Sequence, residues 1–165
     1  MNVSAAINVG YSVTENLTYG LAAAAQVKNE GSASYTLVNG TAAGQIDLHF
    51  EKKAVTLAAG ASVTYTLSAL TDDLGRTVAL VKVKTLTINP TTRASGDSLV
   101  VGNAGVHPWG GFVGGTAQTY TVYDVDQKVC SEGVAVTSGT ADQLKITNAG
   151  SASVTFNLQI SGTSV

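Results

Sequence analysis

The sequence predicts an all-β fold: an antiparallel β-sandwich or a jelly-roll-like barrel of roughly eight to ten strands, with little or no helix. The first observation behind this is a period-two alternation of apolar and polar residues in several segments. The second is that clusters of Gly, Asn and Ser separate those segments, and 18 of the 165 residues are glycine. Only 6% of the residues are aromatic, so a core must be built from Val, Leu, Ile and Ala.

The clearest predicted strands alternate over most of their length. In residues 63–69 the odd positions are apolar and the even positions carry hydroxyl groups. In residues 152–160 the even positions are apolar and the odd positions are polar. A third segment places Ile46, Leu48 and Phe50 on one face. Each strand is expected to have one face on a core and the other on water or a partner, as in antiparallel sheets.

Other segments complete the predicted sheets. Residues 77–88 mix apolar residues on both faces, with Lys82 and Lys84 on one, and predict a central strand whose second face is partly covered. Residues 148–151, Asn-Ala-Gly-Ser, lie between two alternating segments and predict a β-hairpin. Residues 70–75 predict at most one helical turn, capped by Thr or Asp and ended by Gly. Further strands are predicted at residues 35–38, 98–101, 119–123, 134–137 and 144–147.

The chain is expected to hold one sandwich domain preceded by a distinct N-terminal segment. Residues 1–30 are rich in Ala and Gly and alternate weakly, which predicts either a first strand or an arm that contacts a neighbouring subunit. The sandwich domain is predicted over residues 31–165. Within the first segment, Val3, Ile7 and Tyr11 are candidate contact residues for a partner chain.

Composition and charge argue against several classes of partner. Charged residues are 12% of the chain, against roughly 25% in typical proteins, and the formal net charge is -2. We therefore expect no nucleic-acid groove and no binding to membranes. No apolar run approaches the roughly 18 residues of a membrane-spanning helix. The first residues lack the basic and apolar regions of a secretory signal, so no such signal is expected.

Catalytic and cofactor-binding patterns are weak. The chain has two histidines, His49 and His107, and lacks the Gly-x-Ser-x-Gly motif of a nucleophile elbow. Its single cysteine, Cys130, excludes an intrachain disulfide and a Cys-rich zinc site, and is most simply a small buried residue. The sequence therefore predicts a protein that is not an enzyme and that holds no cofactor.

Asp47, His49 and Glu51 form a sharper pattern, because their spacing places them on one face of one strand. Side chains whose tips converge could share a metal ion, whereas the simpler interpretation is a polar face directed at solvent or a subunit. No further His or Cys lies near them in sequence, so no metal site is predicted. Acidic residues at 72–73 and 124–126 are expected to form turns.

The stretch HPWGGFVGG, residues 107–115, holds the only Trp of the chain and one of its three Phe. Pro108 biases His107 towards an extended backbone, and the glycines permit bends that a regular inner strand does not tolerate. Trp109 and Phe112 then have two alternatives. They plug the end of their own sandwich, or they project as an anchor for another chain or a sugar. The candidate contact residues of this stretch are His107, Pro108, Trp109 and Phe112.

Over residues 45–165 the chain resembles small β-sandwich virion proteins of tailed bacteriophages and prophages. The similar runs are SALTDDLG at 68–75, VKVKTLTI at 81–88, SLVVGNA at 98–104, VTSGTADQLKITNAG at 136–150 and ISGTS at 160–164. The shared pattern is one of strands and turns and includes no catalytic motif. The resemblance implies a structural protein of the capsid decoration or cement type.

This resemblance carries further expectations about function. It implies a non-enzymatic protein of the virion that stabilises the phage head, with the major capsid protein as its partner and a homotrimer as its assembly. Low charge and two-faced strands suit a surface that copies and a shell largely bury. The alternative is a tail or head-fibre binding module that recognises a host-surface glycan through Trp109 and Phe112.

Overall fold

The structure, a computed structural model, describes the backbone of residues 3–19 and 23–165, with side chains for residues 3–8 and 30–165. Within these residues the chain is all-β and contains no helix, which confirms the predicted fold class. It forms thirteen strands, three of which have only two residues. The strands are β1 (Ala5–Tyr19), β2 (Ala23–Asn39), β3 (Gln45–Ile46), β4 (Leu48–Leu57), β5 (Ser62–Thr66), β6 (Leu70–Thr71), β7 (Thr77–Val78), β8 (Lys82–Thr92), β9 (Leu99–Gly102), β10 (Thr119–Val122), β11 (Asp126–Ala135), β12 (Gln143–Asn148) and β13 (Val154–Thr163).

Two four-stranded antiparallel sheets form the body of the protein. Sheet I has the order β11-β8-β13-β4, and sheet II has the order β10-β9-β12-β5. Neither sheet closes into a barrel, so the protein forms the sandwich, one of the two predicted architectures. Both sheets contribute to one hydrophobic cluster, in which Leu86 and Phe156 of sheet I and Leu99 and Ile146 of sheet II are fully buried.

The alternating segments form the faces of this core. β13 buries its even positions from Val154 to Ile160 and leaves less buried polar residues between them, as the sequence predicted. The segment that contains Ile46, Leu48 and Phe50 differs from its prediction. Leu48 and Phe50 contact the main core, whereas Ile46 joins a second cluster, because β3 pairs with β2 and β4 pairs with β13.

The single strand predicted over residues 77–88 is divided into β7 and β8. The division arises because the N–H of Leu80 donates to the carbonyl of Leu67 at 3.0 Å, which fixes Leu80 in the core. β8 lies between β11 and β13 and is therefore central, as expected. Its second face is covered at Lys84, where the buried ammonium group donates to the carbonyl of Ala42.

Residues 148–151 do not form the predicted hairpin. β12 lies in sheet II and β13 in sheet I, so this segment crosses between the sheets. The side-chain amide of Asn148 donates to the carbonyls of Leu57 and Ala152. The carboxylate of Asp97 accepts from the N–H of Ala152 and of the residue before it. These bonds stabilise a corner, and turn-forming residues alone do not distinguish a corner from a hairpin.

The helical turn expected at residues 70–75 is also absent, and a tight hairpin between β6 and β7 takes its place. The carboxylate of Asp72 accepts hydrogen bonds from the N–H groups of Leu74 and Arg76 and from the Arg76 guanidinium. Gly75 completes the turn with a φ of 77°. Asp72 thus organises a β-turn, because the strands on either side pair with each other.

β1 and β2 form a long hairpin, which we call the ribbon. They pair antiparallel along all 15 residues of β1, from Ala5↔Leu37 to Tyr19↔Ala23. β2 continues beyond the strand predicted at 35–38 because pairing with β1 extends it. The predicted division after residue 30 falls inside β2, so the ribbon includes residues from both predicted parts.

The base of the ribbon has a small core of its own. Ile7 and Leu37 of the ribbon are buried together with Ile46 of β3, separately from the main cluster. The loop after β2 joins the ribbon to sheet I, because the N–H of Gly44 donates to the carbonyl of Ser131 at 3.1 Å. The base is therefore attached to sheet I by a backbone hydrogen bond, and its three buried side chains pack with one another.

Candidate interaction surfaces

The loop at residues 107–115, which we call the aromatic loop, folds into the body. Trp109 is 2% exposed and belongs to the main hydrophobic cluster. Its indole N–H donates to the carbonyl of Ala135 at 2.7 Å, and its ring lies edge-on to Phe112 with centroids 5.6 Å apart. Phe112 is partly buried against the same cluster. Trp109 and Phe112 therefore plug their own sandwich and do not project from it as an anchor.

Glycines of this loop make that packing possible. A Cβ atom at Gly111 would lie 2.3 Å from Cζ2 of Trp109, far inside contact distance. A Cβ atom at Gly110 would lie 2.6 Å from the carbonyl carbon of Gly115. The loop can therefore close against the indole only because these positions carry no side chain.

His107 does not have the extended backbone that Pro108 was expected to favour. Its φ is 47°, in the left-handed region. The carbonyl of His107 accepts hydrogen bonds from the N–H groups of Asp142 and Gln143, and these tertiary bonds outweigh the local preference. His107 is exposed at 44% of its side chain, and Val106, just before the loop, is 60% exposed.

Asp142 is the carboxylate beside His107 that the sequence did not indicate. Its Oδ2 accepts hydrogen bonds from the Ser68 hydroxyl at 2.7 Å and from the N–H of Gly139 at 2.9 Å. Its Oδ1 makes no hydrogen bond and lies 4.0 Å from Nδ1 of His107. Burial alone would raise the pKa of Asp142, but the bonds from Gly139 and Ser68 and the nearby His107 hold that pKa below its usual value. Ser68 bonds to the carboxylate and not to the imidazole, so these residues lack the order of a hydrolytic triad.

Asp47, His49 and Glu51 each bond to a different polar residue on or just after β13. Those partners are, in the same order, Ser164, Ser161 and Gln159. Burial lowers the pKa of His49, and the hydrogen bond from the Gln159 amide lowers the pKa of Glu51. Among the described residues, no three His, Cys, Asp or Glu side chains come together as metal ligands do. The arrangement is that of a polar sheet face.

Two grooves lie where the ribbon meets sheet I. One, of about 410 Å³, separates residues 3–7 from the polar face and is lined by His49, Thr85 and Gln159. The other, which we call the base groove, has a volume of about 430 Å³. The base groove is lined by Ile7, Ala33, Ser34, Tyr35, Val129, Cys130 and Ser131. Cys130 is half-buried there, whereas the sequence suggested a small buried residue.

The N-terminal candidates have separate positions. Val3 packs against the small cluster of the ribbon base, and its N–H donates to the Asn39 side chain at 3.0 Å. Ile7 is buried in that cluster and also lines the base groove. Tyr11 is paired through its backbone with Gly31, and its side chain lies outside the described residues.

Sequence reasoning missed the rest of the base groove. Tyr35 is 39% exposed and Val129 is 37% exposed, and both are apolar surface beside the ribbon. Tyr35 pairs with Ile7, so the alternation around Ile7 was the available signal for it. Val129 had no such signal, because its position beside the ribbon depends on the tertiary structure.

The fold and these surfaces define an all-β sandwich protein with an N-terminal ribbon. No protein-family model, curated protein or solved structure matches this chain. No helix long and apolar enough to cross a membrane occurs in the described part of the chain.

Proposed function

We propose that the chain is a non-enzymatic virion structural protein, a capsid decoration or cement protein that stabilises the head of a tailed bacteriophage. Its partners are the major capsid protein and further copies of itself in a homotrimer. It assembles in the host cytoplasm and acts in the virion. The proposal is supported by the resemblance of residues 45–165 to such proteins and by the form of the ribbon.

The observation that carries the proposal is the length of the ribbon beyond its base. β1 has 15 residues, which is about 50 Å of extended chain. Among the ribbon side chains that the structure describes, only Ile7 and Leu37 are buried. A two-stranded hairpin is marginally stable in water by itself. We infer that another chain covers the ribbon, as expected of a protein that works in an assembled shell.

The stabilising mechanism would be mass action. A protein that binds the assembled capsid and not its free subunits shifts the equilibrium towards the shell. Contacts with several capsid subunits would together exceed the roughly 1,200–2,000 Å² of one specific interface. The body supplies surface for this with low charge, since only 12% of the residues are charged.

The alternative, a glycan-binding module, would need an exposed aromatic surface at Trp109 and Phe112. A sugar stacks on an exposed aromatic face, whereas Trp109 is 2% exposed and engaged by Phe112 and Ala135. No other observation favours glycan recognition over assembly, so we propose the structural role.

Copy number and head stability test this proposal. Purified particles should carry many copies of the protein, in a fixed ratio to the major capsid protein by gel densitometry. Heads that lack the protein should release DNA at a lower temperature, and added protein should restore their stability in a saturable way. One or a few copies located at the tail, or heads equally stable without the protein, would contradict it.

A further inference from the structure

We propose that one face of the ribbon packs against the same face of the ribbons of neighbouring copies, with all ribbons parallel about the symmetry axis of a homotrimer. The inference rests on the proposed function for the homotrimer and for the parallel direction. Copies on a shell share one orientation relative to its surface, so equivalent ribbons leave their bodies in the same direction. The face itself follows from the strand register.

The register separates the ribbon residues into two faces of opposite character, because successive residues of a strand alternate between faces and paired residues share one. We call these the odd face and the even face. The odd face contains Ala5, Ile7, Val9, Tyr11, Val13, Glu15, Leu17 and Tyr19 of β1 with Leu37, Tyr35, Ala33, Gly31, Asn29, Val27, Ala25 and Ala23 of β2. The even face contains Ala6, Asn8, Gly10, Ser12, Thr14, Asn16 and Thr18 with Thr36, Ser34, Ser32, Glu30, Lys28, Gln26 and Ala24.

The described residues at the base fix which face is covered. Ile7 and Leu37 of the odd face are buried together with Ile46 of β3. Asn8 and Ser34 of the even face are exposed. Tyr35, next to Leu37 on the odd face, is partly exposed at the base groove. The odd face is therefore the covered face at the base, and the strand register continues the same face along the ribbon.

Cyclic association would cover the odd face of every copy at once. A ribbon about 50 Å long and about 10 Å wide presents roughly 500 Å² on one face. Three such faces bury roughly 1,500 Å² in one trimer, or roughly 500 Å² for each of its three pairwise contacts. The base groove adds Val129 and Cys130 to the same apolar surface.

A second copy is the occupant that the chemistry of this face favours. Glu15 is the only charged residue on the odd face, so the face offers a charged partner almost nothing to pair with. Identical apolar faces are complementary to each other, and cyclic symmetry brings equivalent residues together at the axis. The polar even face then remains outside the assembly.

Cross-linking of paired cysteine variants tests the arrangement in the full-length protein. Cys130 is first changed to Ser, which leaves no other thiol. In that background, Leu17→Cys lies on the odd face near the tip, and Thr18→Cys lies beside it on the even face. A short bismaleimide should link Leu17→Cys chains into covalent dimers, at most two of the three chains in each trimer. Thr18→Cys should react at most a few per cent as efficiently.

The controls separate failure of the arrangement from failure of folding or of the proposed function. Trp109 fluorescence should match that of the unmodified protein in both variants, because neither site lies in the body. Equal cross-linking of the two variants, or none at Leu17→Cys in a folded protein, overturns the arrangement. The reaction uses protein free in solution, so it can fail or succeed independently of copy number on particles, which tests the proposed function.

Discussion

The body and the ribbon use the same antiparallel backbone pairing, but they differ in what covers their apolar faces. In the body, sheets I and II cover each other around one cluster of twenty buried residues. Among the ribbon side chains that the structure describes, the corresponding cluster lies at the base and has three buried residues, Ile7 and Leu37 together with Ile46 of β3. Backbone pairing is nearly complete in both regions, so pairing does not account for the difference.

This difference indicates which region of the single chain contributes most to its free energy of unfolding. Burial of apolar surface is the main favourable term in folding, and the body obtains it within one chain. The ribbon obtains it only at Ile7 and Leu37 among its described side chains. We therefore expect mutations in the body to change unfolding of the single chain, and mutations in the ribbon to change association.

The largest expected effect is in the core of the body. Leu158→Ala removes a fully buried side chain from the main cluster and should lower the free energy of unfolding by about 2–5 kcal/mol. The matched control is Leu74→Ala, at a residue that is 79% exposed, with an expected change within about 0.5 kcal/mol. Urea denaturation followed by Trp109 fluorescence measures both. Equal losses would show that the core is not where the structure has it.

The next effect concerns the ribbon alone. Val13→Asp introduces a carboxylate on the odd face and should weaken association about 100-fold, or about 2.7 kcal/mol, because the charge must be desolvated on assembly. Thr14→Asp adds the same charge on the even face and should leave association nearly unchanged. Light scattering across a dilution series gives the affinities. If both variants dissociate equally, the two faces of the ribbon do not differ as the register indicates.

The aromatic loop provides a test within the body. Gly111→Ala places a Cβ atom 2.3 Å from the Trp109 ring and should destabilise the fold by about 1–3 kcal/mol through overpacking. Gly105→Ala is the control, since a Cβ atom there meets nothing within 4 Å. Thermal unfolding and the Trp109 emission maximum distinguish the variants. An unchanged emission and stability in Gly111→Ala would contradict the plug.

The smallest expected effect depends on pH. The folded-state pKa of Asp142 is lowered, so its ionised form stabilises the fold above the unfolded pKa of about 3.9. This contribution is lost as the pH falls through the folded-state pKa. Asp142→Asn should therefore be less stable than the unmodified protein at pH 7, and the gap should narrow at pH 3. Ser68→Ala, which removes one donor to the carboxylate, should show part of the same change in urea titrations at both pH values.

Part of the fold could be predicted because some signals are local. Alternation from Val154 to Ile160 predicted a half-buried strand, and β13 buries those even positions. The corner at residues 148–151 could not be predicted, because its turn residues also suit a hairpin and the bonds from Asp97 come from a distant segment. The full length of β2 was missed because its Ala-rich residues alternate only weakly. Its extent depends on backbone pairing with β1.

The candidate surfaces divide in the same way. The sequence singled out Trp109 and Phe112 but left open whether they plug the sandwich or project from it. The hydrogen bond from Trp109 to Ala135 and the close approach of Gly111 to the indole show that the aromatic residues plug the sandwich. The first contact depends on a distant chain segment, and the second depends on how the loop closes. The sequence did not indicate a carboxylate beside His107, and the fold brings Oδ1 of Asp142 to 4.0 Å from its Nδ1.

By itself, the sequence determined that this chain is all-β, poor in charge and built around small aliphatic side chains, because composition and two-residue periodicity act locally. The tertiary structure alone decided which strands share a sheet, where Trp109 lies and how far the ribbon extends. Those features depend on contacts between residues far apart in sequence, such as Asp97 with Ala152 and Trp109 with Ala135. Local patterns select strands, whereas long-range hydrogen bonds and burial select their neighbours.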